Sequence, residues 1–294
     1  MAQLIDGKAT ADKIIEEIAA KVDVLKTKTG KVPSLSVILV GSDPASHSYV
    51  RGKIKSSART GINGKVICLD ESILESELLD RIDELNNDPE TDGILVQLPL
   101  PEHIDPQKII DAVALEKDVD GFHPMNVARL CLNEACTLPC TPKGIIRLID
   151  SYGIETDGRK ATVVGRSNIV GKPVAKLLLD RNATVTIAHS HSKDLASICR
   201  EADILVVAAG SAGLIKADMV KPGAAVIDVG INRNPITGKL CGDVDFPEVS
   251  KTAGYITPVP GGVGPMTIAM LMENTLESFI HRNNLNFNEN ENEK

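Results

Sequence analysis

The chain has 294 residues, 43% hydrophobic and 24% charged, with a formal net charge of −8. That length suits two domains rather than one, each able to bury a core. The acidic balance, the absence of Trp and the scarcity of Tyr and Phe argue against a nucleic-acid partner, and no stretch approaches the roughly 18 apolar residues of a membrane span.

The first residues reach Asp6, Lys8 and Asp12 before any long apolar run, so neither a signal peptide nor an Arg-rich transit peptide is expected. Cysteines stand at 68, 131, 136, 140, 199 and 241. The C-x4-C-x3-C spacing of Cys131, Cys136 and Cys140 matches no common zinc pattern, so no metal site is expected. Free thiols and no leader together lead to the expectation of a cytoplasmic protein.

In chain order, Ala11, Ile14, Ile15, Ile18, Ala19, Val22 and Leu25 recur at helical spacing and predict a first amphipathic helix. The apolar run Ser34-Leu-Ser-Val-Ile-Leu-Val40, closed by Gly41, predicts a buried strand. Ser42-Asp43-Pro44 supplies a cap and a first-turn proline for a helix over 44–59. A strand over 65–69, a helix over 74–86, a strand over 93–98 and a short helix over 104–115 continue the rhythm. The chain breaks around Leu138-Pro-Cys-Thr-Pro142 and restarts with a helix through Asp150.

Strands then recur at 160–165, 183–189, 203–209, 224–230 and 255–257. Strands and helices that alternate in this way predict an α/β fold with parallel sheets. The expected organisation is an N-terminal α/β domain over 1–139 plus 266–294, and a doubly wound Rossmann-type domain over 140–265. Pro258-Val-Pro-Gly-Gly-Val-Gly-Pro265 cannot be helix or central strand, and Pro265 is expected to open a final helix that returns to the first domain. The Asn- and Glu-rich end, 283–294, is expected to fray.

The most informative segment is Ala161-Thr-Val-Val-Gly-Arg-Ser-Asn-Ile-Val-Gly-Lys-Pro173, a strand running into a glycine turn and a helix. Such a unit aims backbone N–H groups and a helix N-terminus at a phosphate. The usual G-x-G-x-x-G fingerprint is broken, because Ser167 and Val170 replace its second and third glycines. The next strand ends in His189-Ser190-His191 and lacks the acid that takes a ribose 2′-hydroxyl. Arg166 in the turn with no carboxylate opposite suits a 2′-phosphate, hence NADP rather than NAD.

Four other places carry polar groups of interest, each open to two interpretations. Tyr49 and Lys53 share a helix face with Ser46 and Ser57, either as a proton relay or as a half-buried phenol beside an exposed ammonium. Gln97 ends a strand where open α/β sheets bind ligands, or it caps a loop. Asp118, Asp120 and His123 crowd Lys117-Asp-Val-Asp-Gly-Phe-His-Pro124, as solvated turn residues or with one carboxylate aimed at a ligand nitrogen. The loop 258–265 admits a ligand close to its backbone or acts as a rigid hinge.

Taken in order, these segments resemble the bifunctional methylenetetrahydrofolate dehydrogenase/methenyltetrahydrofolate cyclohydrolase family of one-carbon metabolism. The resemblance runs from Leu4-Ile-Asp-Gly7 to about Ile280. It rests on Val40-Gly-Ser-Asp-Pro-Ala-Ser46 with Tyr49 and Lys53, on Asp92-Gly-Ile-Leu-Val-Gln-Leu-Pro-Leu-Pro101, and on Lys117 to Pro124. Pro139-Cys-Thr-Pro142, Gly165-Arg-Ser-Asn-Ile-Val-Gly-Lys-Pro173 and Pro258-Val-Pro-Gly-Gly-Val-Gly-Pro-Met-Thr267 complete it.

The resemblance implies that the N-terminal domain binds folate and carries the catalysis, and that the Rossmann-type domain binds NADP. It makes Lys53 the proton-handling group, Tyr49 its neighbour against the aminobenzoyl ring, Gln97 the residue that holds Lys53, and Asp120 a hydrogen-bond partner of the pterin. Pro260, Gly261, Gly262 and Val263 would form one wall of the folate site. Gly165, Arg166, Ser167, Ser190, His191 and Ile231 would bind the cofactor, with Arg166 and Ser190 on the 2′-phosphate. The implied reaction is oxidation of 5,10-methylenetetrahydrofolate with NADP+, then hydrolysis to 10-formyltetrahydrofolate, by a homodimer acting on tetrahydrofolate substrates.

Two positions depart from the family pattern. Ala128 stands where a glycine is usual, which is harmless unless the backbone there needs a positive φ. His191 stands where Arg or Lys is common, and a histidine is only partly charged at neutral pH. Apart from the resemblance, the two-domain layout also suits a dehydrogenase of another small metabolite, and the turn alone a non-catalytic nucleotide-binding protein. Lys53, Gln97 and Asp120 speak against the latter.

Overall fold

The computed structural model describes residues 1–233 and 238–285. The expected frayed end therefore lies, from residue 286 onward, outside the described residues. The chain divides into two compact units, one of Met1–Lys13 with Pro139–Met270, the other of Ile14–Leu138 with the chain from Leu271 onward.

A short strand β1 (Gln3–Leu4) precedes α1 (Gly7–Thr29), and β2 (Ser34–Val40) follows with every residue buried. Helix α2 (Pro44–Thr60) starts where the Asp43 carboxylate accepts from the Ser46 N–H at 2.8 Å and Pro44 needs no partner. It stops at Gly61, whose φ of 75° is the left-handed conformation that glycine adopts most readily. Next come β3 (Asn63–Leu69), α3 (Glu75–Asn87), β4 (Gly93–Val96) and α4 (Pro106–Ala112). These strands form a three-stranded parallel sheet in the order β3-β2-β4. Ile38, Val40, Leu78, Ile82, Ile94 and Ile109 form a core on it.

Helix α5 (Pro124–Leu132) was not expected from the apolar periodicity. The His123 side chain caps it by accepting from the Met125 N–H at 3.1 Å, and Asn133 closes it at φ 59°. The predicted helix over 104–115 is shorter, because Asp105 and Pro106 start α4 and a separate turn of 3-10 helix follows at Leu115–Lys117.

In the other unit, α6 (Cys140–Ser151) leads to β5 (Lys160–Val164), α7 (Gly171–Leu179), β6 (Thr184–Ala188), α8 (Leu195–Arg200) and β7 (Ile204–Val207). The chain continues through β8 (Ala225–Asp228), β9 (Asn232–Arg233), β10 (Leu240–Cys241), α9 (Phe246–Val249) and β11 (Tyr255–Ile256). A six-stranded parallel sheet has the order β1-β11-β8-β7-β5-β6, and β9 and β10 pair separately as an antiparallel ribbon. The chain goes from β5 outward to β6 and then returns past β5 to β7, so the carboxyl end of β5 is a switch point where such sheets bind ligands.

The final helix α10 (Val263–Arg282) begins earlier than expected. Pro265 does not open it but sits in its first turn, where the missing N–H would have had no helical partner. The units also differ from the expected domain limits at both ends of the chain. Gln3 and Leu4 pair with Tyr255 and Ile256 of β11, which ties the first residues to the larger sheet. The start of α10 is tied there too, with the Thr141 and Thr267 hydroxyls 2.9 Å apart.

Candidate functional site

Helix α2 buries Ser46, Val50, Lys53 and Ser57, a stripe at intervals of three and four residues. Tyr49 lies beside that stripe and is 38% exposed, whereas Lys53 is only 9% exposed. The buried ammonium has a partner: Lys53 Nζ donates to Gln97 Oε1 at 2.9 Å. The Gln97 amide donates in turn from Nε2 to the Leu98 carbonyl at 2.6 Å, which leaves its oxygen facing the ammonium. Gln97 lies one residue beyond β4, and its N–H still bonds the Ile38 carbonyl at 2.9 Å, so it inherits the rigidity of the sheet. Burial raises the Tyr49 phenol above its ordinary value, which keeps it a hydrogen-bond donor at neutral pH.

Asp120 stands on a loop placed by its neighbours. Asp118 bridges Ile94 of β4 in parallel register, and Asp120 lines one cavity together with Val96 and Leu98 at the end of that strand. The buried Asp118 carboxylate accepts from the N–H groups of Gly121, Phe122 and His123 and from Asn126 Nδ2, at 2.8 to 3.3 Å. Lys117, 2% exposed, donates to the carbonyls of Leu85, Asn86 and Asp88 at the end of α3, and burial pulls its pKa down. From α10, Asn274 donates to the Val119 and Leu138 carbonyls and Ser278 to those of Asp92 and Glu116. Arg282 completes this i, i+4 stripe on Asp92, whose carboxyl is raised by burial.

At the other sheet, the turn after β5 has the shape a dinucleotide needs. Gly165 has φ 132°, and a Cβ there would lie 2.2 Å from the Ala208 carbonyl oxygen. A Cβ on Gly171 would lie 2.3 Å from the Gly165 carbonyl oxygen, so both glycines are required by close backbone approach. Ser167, which replaces the second glycine, accepts through Oγ from the Val170 and Gly171 N–H groups at 3.2 and 3.3 Å and so shapes the entry to α7. Arg166 and Ser190 are exposed. The rings of His189 and His191 are 6.0 Å apart, and burial, then Arg166 and His191, hold the His189 pKa below its ordinary value. No carboxylate ends β6, so these residues fit a cofactor bearing a 2′-phosphate. Ile231 is 49% exposed in the loop after β8.

The loop before α10 packs on the first turn of α1. A Cβ on Gly7 would lie 1.9 Å from the Gly262 carbonyl oxygen, and the Lys8 N–H donates to the Gly261 carbonyl at 2.9 Å. Gly261 has φ 105°, and Gly262 and Val263 are buried, while Pro260 is exposed. This close approach accounts for Gly7, whereas Gly262 is required within its own loop, where a Cβ would lie 2.5 Å from the Pro258 carbonyl oxygen. Ala128 lies inside α5 and is not among the positive-φ residues, so the usual glycine is not required there.

The structure thus brings Lys53 and Gln97 into direct contact and sets Asp120 at the same end of β4. The supporting residues Asn274, Ser278 and Arg282 escaped sequence reasoning; only their spacing of four on the last helix marks them. Among the described residues no group of three His, Cys, Asp or Glu could hold a metal, and no helix is long and apolar enough to cross a membrane.

Comparison with known proteins adds to this geometry. Residues 5–120 match the catalytic domain, and residues 139–283 the NAD(P)-binding domain, of tetrahydrofolate dehydrogenase/cyclohydrolase. The bifunctional protein FolD of Listeria innocua is 55% identical over 278 residues, covering 95% of this chain and 97% of the relative. The crystal structure of the bifunctional methylenetetrahydrofolate dehydrogenase/cyclohydrolase from Campylobacter jejuni superposes with a TM-score of 0.94 at 51% identity, covering 96% of this chain and 100% of that one. The Trypanosoma brucei enzyme, solved with NADP cofactor and an inhibitor, has a TM-score of 0.92 at 40% identity, covering 95% and 98%. With both halves matched in order, and with a lysine–glutamine pair on one sheet and a dinucleotide turn on the other, this chain belongs to the tetrahydrofolate dehydrogenase/cyclohydrolase family.

Proposed function

We propose that the chain oxidises 5,10-methylenetetrahydrofolate to the 5,10-methenyl cation and then hydrolyses that cation to 10-formyltetrahydrofolate, with Lys53 as the central group of the second step. Bound NADP+ supplies the hydride-accepting ring for the first step. The folate nitrogens stabilise the cation, so the protein's own part in that step is orientation. Arg166 and Ser190 hold the 2′-phosphate, Gly165 and Ser167 admit the pyrophosphate, and His191 and Ile231 line the remaining cofactor surface.

In the second step water adds to the methenyl carbon and the ring opens. Lys53 moves protons through Nζ between the water and the departing ring nitrogen. Gln97 fixes Nζ in place, Tyr49 lies against the aminobenzoyl ring, and Asp120 bonds the pterin. Pro260, Gly261, Gly262 and Val263 contact the folate through their backbone. The protein works in the cytoplasm as a homodimer on tetrahydrofolate substrates.

The observation that carries this function is the 2.9 Å bond from the buried Lys53 ammonium to Gln97. A buried lysine paired with a neutral amide rather than a carboxylate is a poor structural investment and a good proton carrier. The test is to incubate the protein with methylenetetrahydrofolate and either NADP+ or NAD+, following methenyl-folate and its disappearance separately. Formation and decay of methenyl-folate with NADP+ are expected. Reduction of the nucleotide with no hydrolysis of added methenyl-folate would make it a simple dehydrogenase.

A further inference from the structure

Two buried carboxylates in the cofactor-binding unit take no part in the chemistry above. Asp243 is 0% exposed and Asp228 3% exposed. Around them, among the described residues, stand backbone N–H groups and one side-chain amide rather than a cation. Asp243 Oδ2 accepts from the N–H groups of Ala209 and Gly210 at 2.7 and 2.9 Å. Its Oδ1 accepts from the Ser211 N–H and from Asn232 Nδ2, both at 2.8 Å. Asp228 Oδ1 accepts from the N–H groups of Gly230 and Asp243, both at 2.9 Å, and its Oδ2 from that of Val244 at 3.0 Å.

These bonds join three backbone segments at the carboxyl ends of β7 and β8. The first, 209–211, follows Ala208, whose N–H bonds the Val164 carbonyl and whose own carbonyl lies where a Cβ on Gly165 would go. It is thus the direct neighbour of the glycine turn. The second carries Ile231, held on one side through Gly230 and on the other through Asn232. The third, 242–244, holds Asp243 itself. Its fit leaves no slack: a Cβ on Gly242 would lie 1.8 Å from Asp228 Oδ2, and one on Gly230 2.4 Å from Asp243 Oδ1.

Three consecutive N–H groups aimed at one point need an acceptor with several lone pairs, and only a carboxylate offers about four. A neutral amide at 243 would turn its own NH2 toward two of the donors. Placing two like charges close together in a buried site is unfavourable for the fold. That expense is understandable where the geometry of adjoining loops matters to a ligand.

Resting on the cofactor site described above, we propose that Asp243 and Asp228 are positioning residues for the dinucleotide. Asp243 locks the loop after β7 to the loop that carries Ile231, and Asp228 locks the segment that carries Asp243. Neither touches the substrate. Both act by holding the two loops at the spacing that the bound cofactor requires.

The test compares wild type with Asn232→Ala and Asp243→Asn, measuring NADPH binding by fluorescence titration, KM for NADP+, and hydrolysis of added methenyl-folate, with thermal unfolding alongside. Asn232→Ala removes one bond and leaves both carboxylates, so it should fold and should weaken NADPH binding about tenfold. Asp243→Asn should weaken it further, roughly 100-fold, in whatever fraction folds. Hydrolysis per folded molecule should stay within about twofold of wild type in both. Unchanged NADPH affinity in Asn232→Ala, or an equal fall in NADPH binding and hydrolysis, would overturn the positioning role. Failure of the wild type itself to bind NADPH would instead remove the cofactor site on which the proposal stands.

Discussion

Lys53 Nζ and Gln97 Oε1 meet at 2.9 Å although 44 residues separate them in the chain. Helix α2 supplies one partner and the end of β4 the other, and both elements pack on the same strand, β2. Gln97→Ala leaves the ammonium buried without this acceptor. Its loss is worth roughly 1.5–3 kcal/mol, so hydrolysis of methenyl-folate should fall about 10- to 100-fold. The dehydrogenase rate should fall less, and a continuous assay of each step on the same sample checks the split.

Lys53→Met keeps the length of the side chain and removes its proton chemistry. Cyclohydrolase turnover should disappear, a loss of at least the roughly 10²–10⁴-fold typical of a general acid–base group. Folate should still bind, as equilibrium dialysis with a labelled folate can establish. Wild-type hydrolysis in this variant would end the assignment of Lys53.

Arg166→Ala removes the exposed cation of the glycine turn while the backbone that meets the pyrophosphate stays. KM for NADP+ should rise roughly 10- to 100-fold, and KM for NAD+ should hardly move. Parallel titrations with the two nucleotides read the difference directly.

Lys117→Met tests an interaction remote from the reacting atoms. Three carbonyls at the end of α3 lose their donor, and burial prevents water from replacing it. The fold should lose about 2–5 kcal/mol in urea unfolding. The surviving folded enzyme should show an altered KM for folate, because Lys117 begins the loop that presents Asp120.

Asp228 gives a pH dependence whose sign is determined by burial. Burial pushes its carboxyl from 3.8 up to about 6, against three backbone N–H groups that pull it down. The folded chain therefore binds this proton more tightly than the unfolded chain. Its contribution to stability is full below the unfolded value and is lost as pH rises toward 6, by on the order of 2–3 kcal/mol. Urea midpoints of wild type and Asp228→Asn should show it. The advantage of wild type over the variant should be larger at pH 4.5 than at pH 7.5.

Much of this molecule is legible in its sequence, for reasons that particular segments make plain. The run from Ser34 to Val40 is apolar but for two serines, and without alternation, because β2 is covered on both faces. Asp43 and Pro44 announce α2 because capping is a local event. Where structure depends on distant partners, the pattern falls silent. Gln3 and Leu4 carry no strand signal, and they form β1 only because β11 offers an edge. Asp228 reads only as part of the strand expected over 224–230 and Asp243 carries no signal, since nothing in a linear sequence reveals how many N–H groups will converge on a carboxylate. Lys117 looks solvated for the same reason, although it is 2% exposed.

The pairing of Gln3 and Leu4 with Tyr255 and Ile256 also dictates an order of events during synthesis. β1 leaves the ribosome about 250 residues before the edge that receives it. It must therefore wait, unpaired, while all of the intervening chain is made. Closure of the sheet is consequently a late and long-range step, and fragments released before residue 256 should lack it altogether.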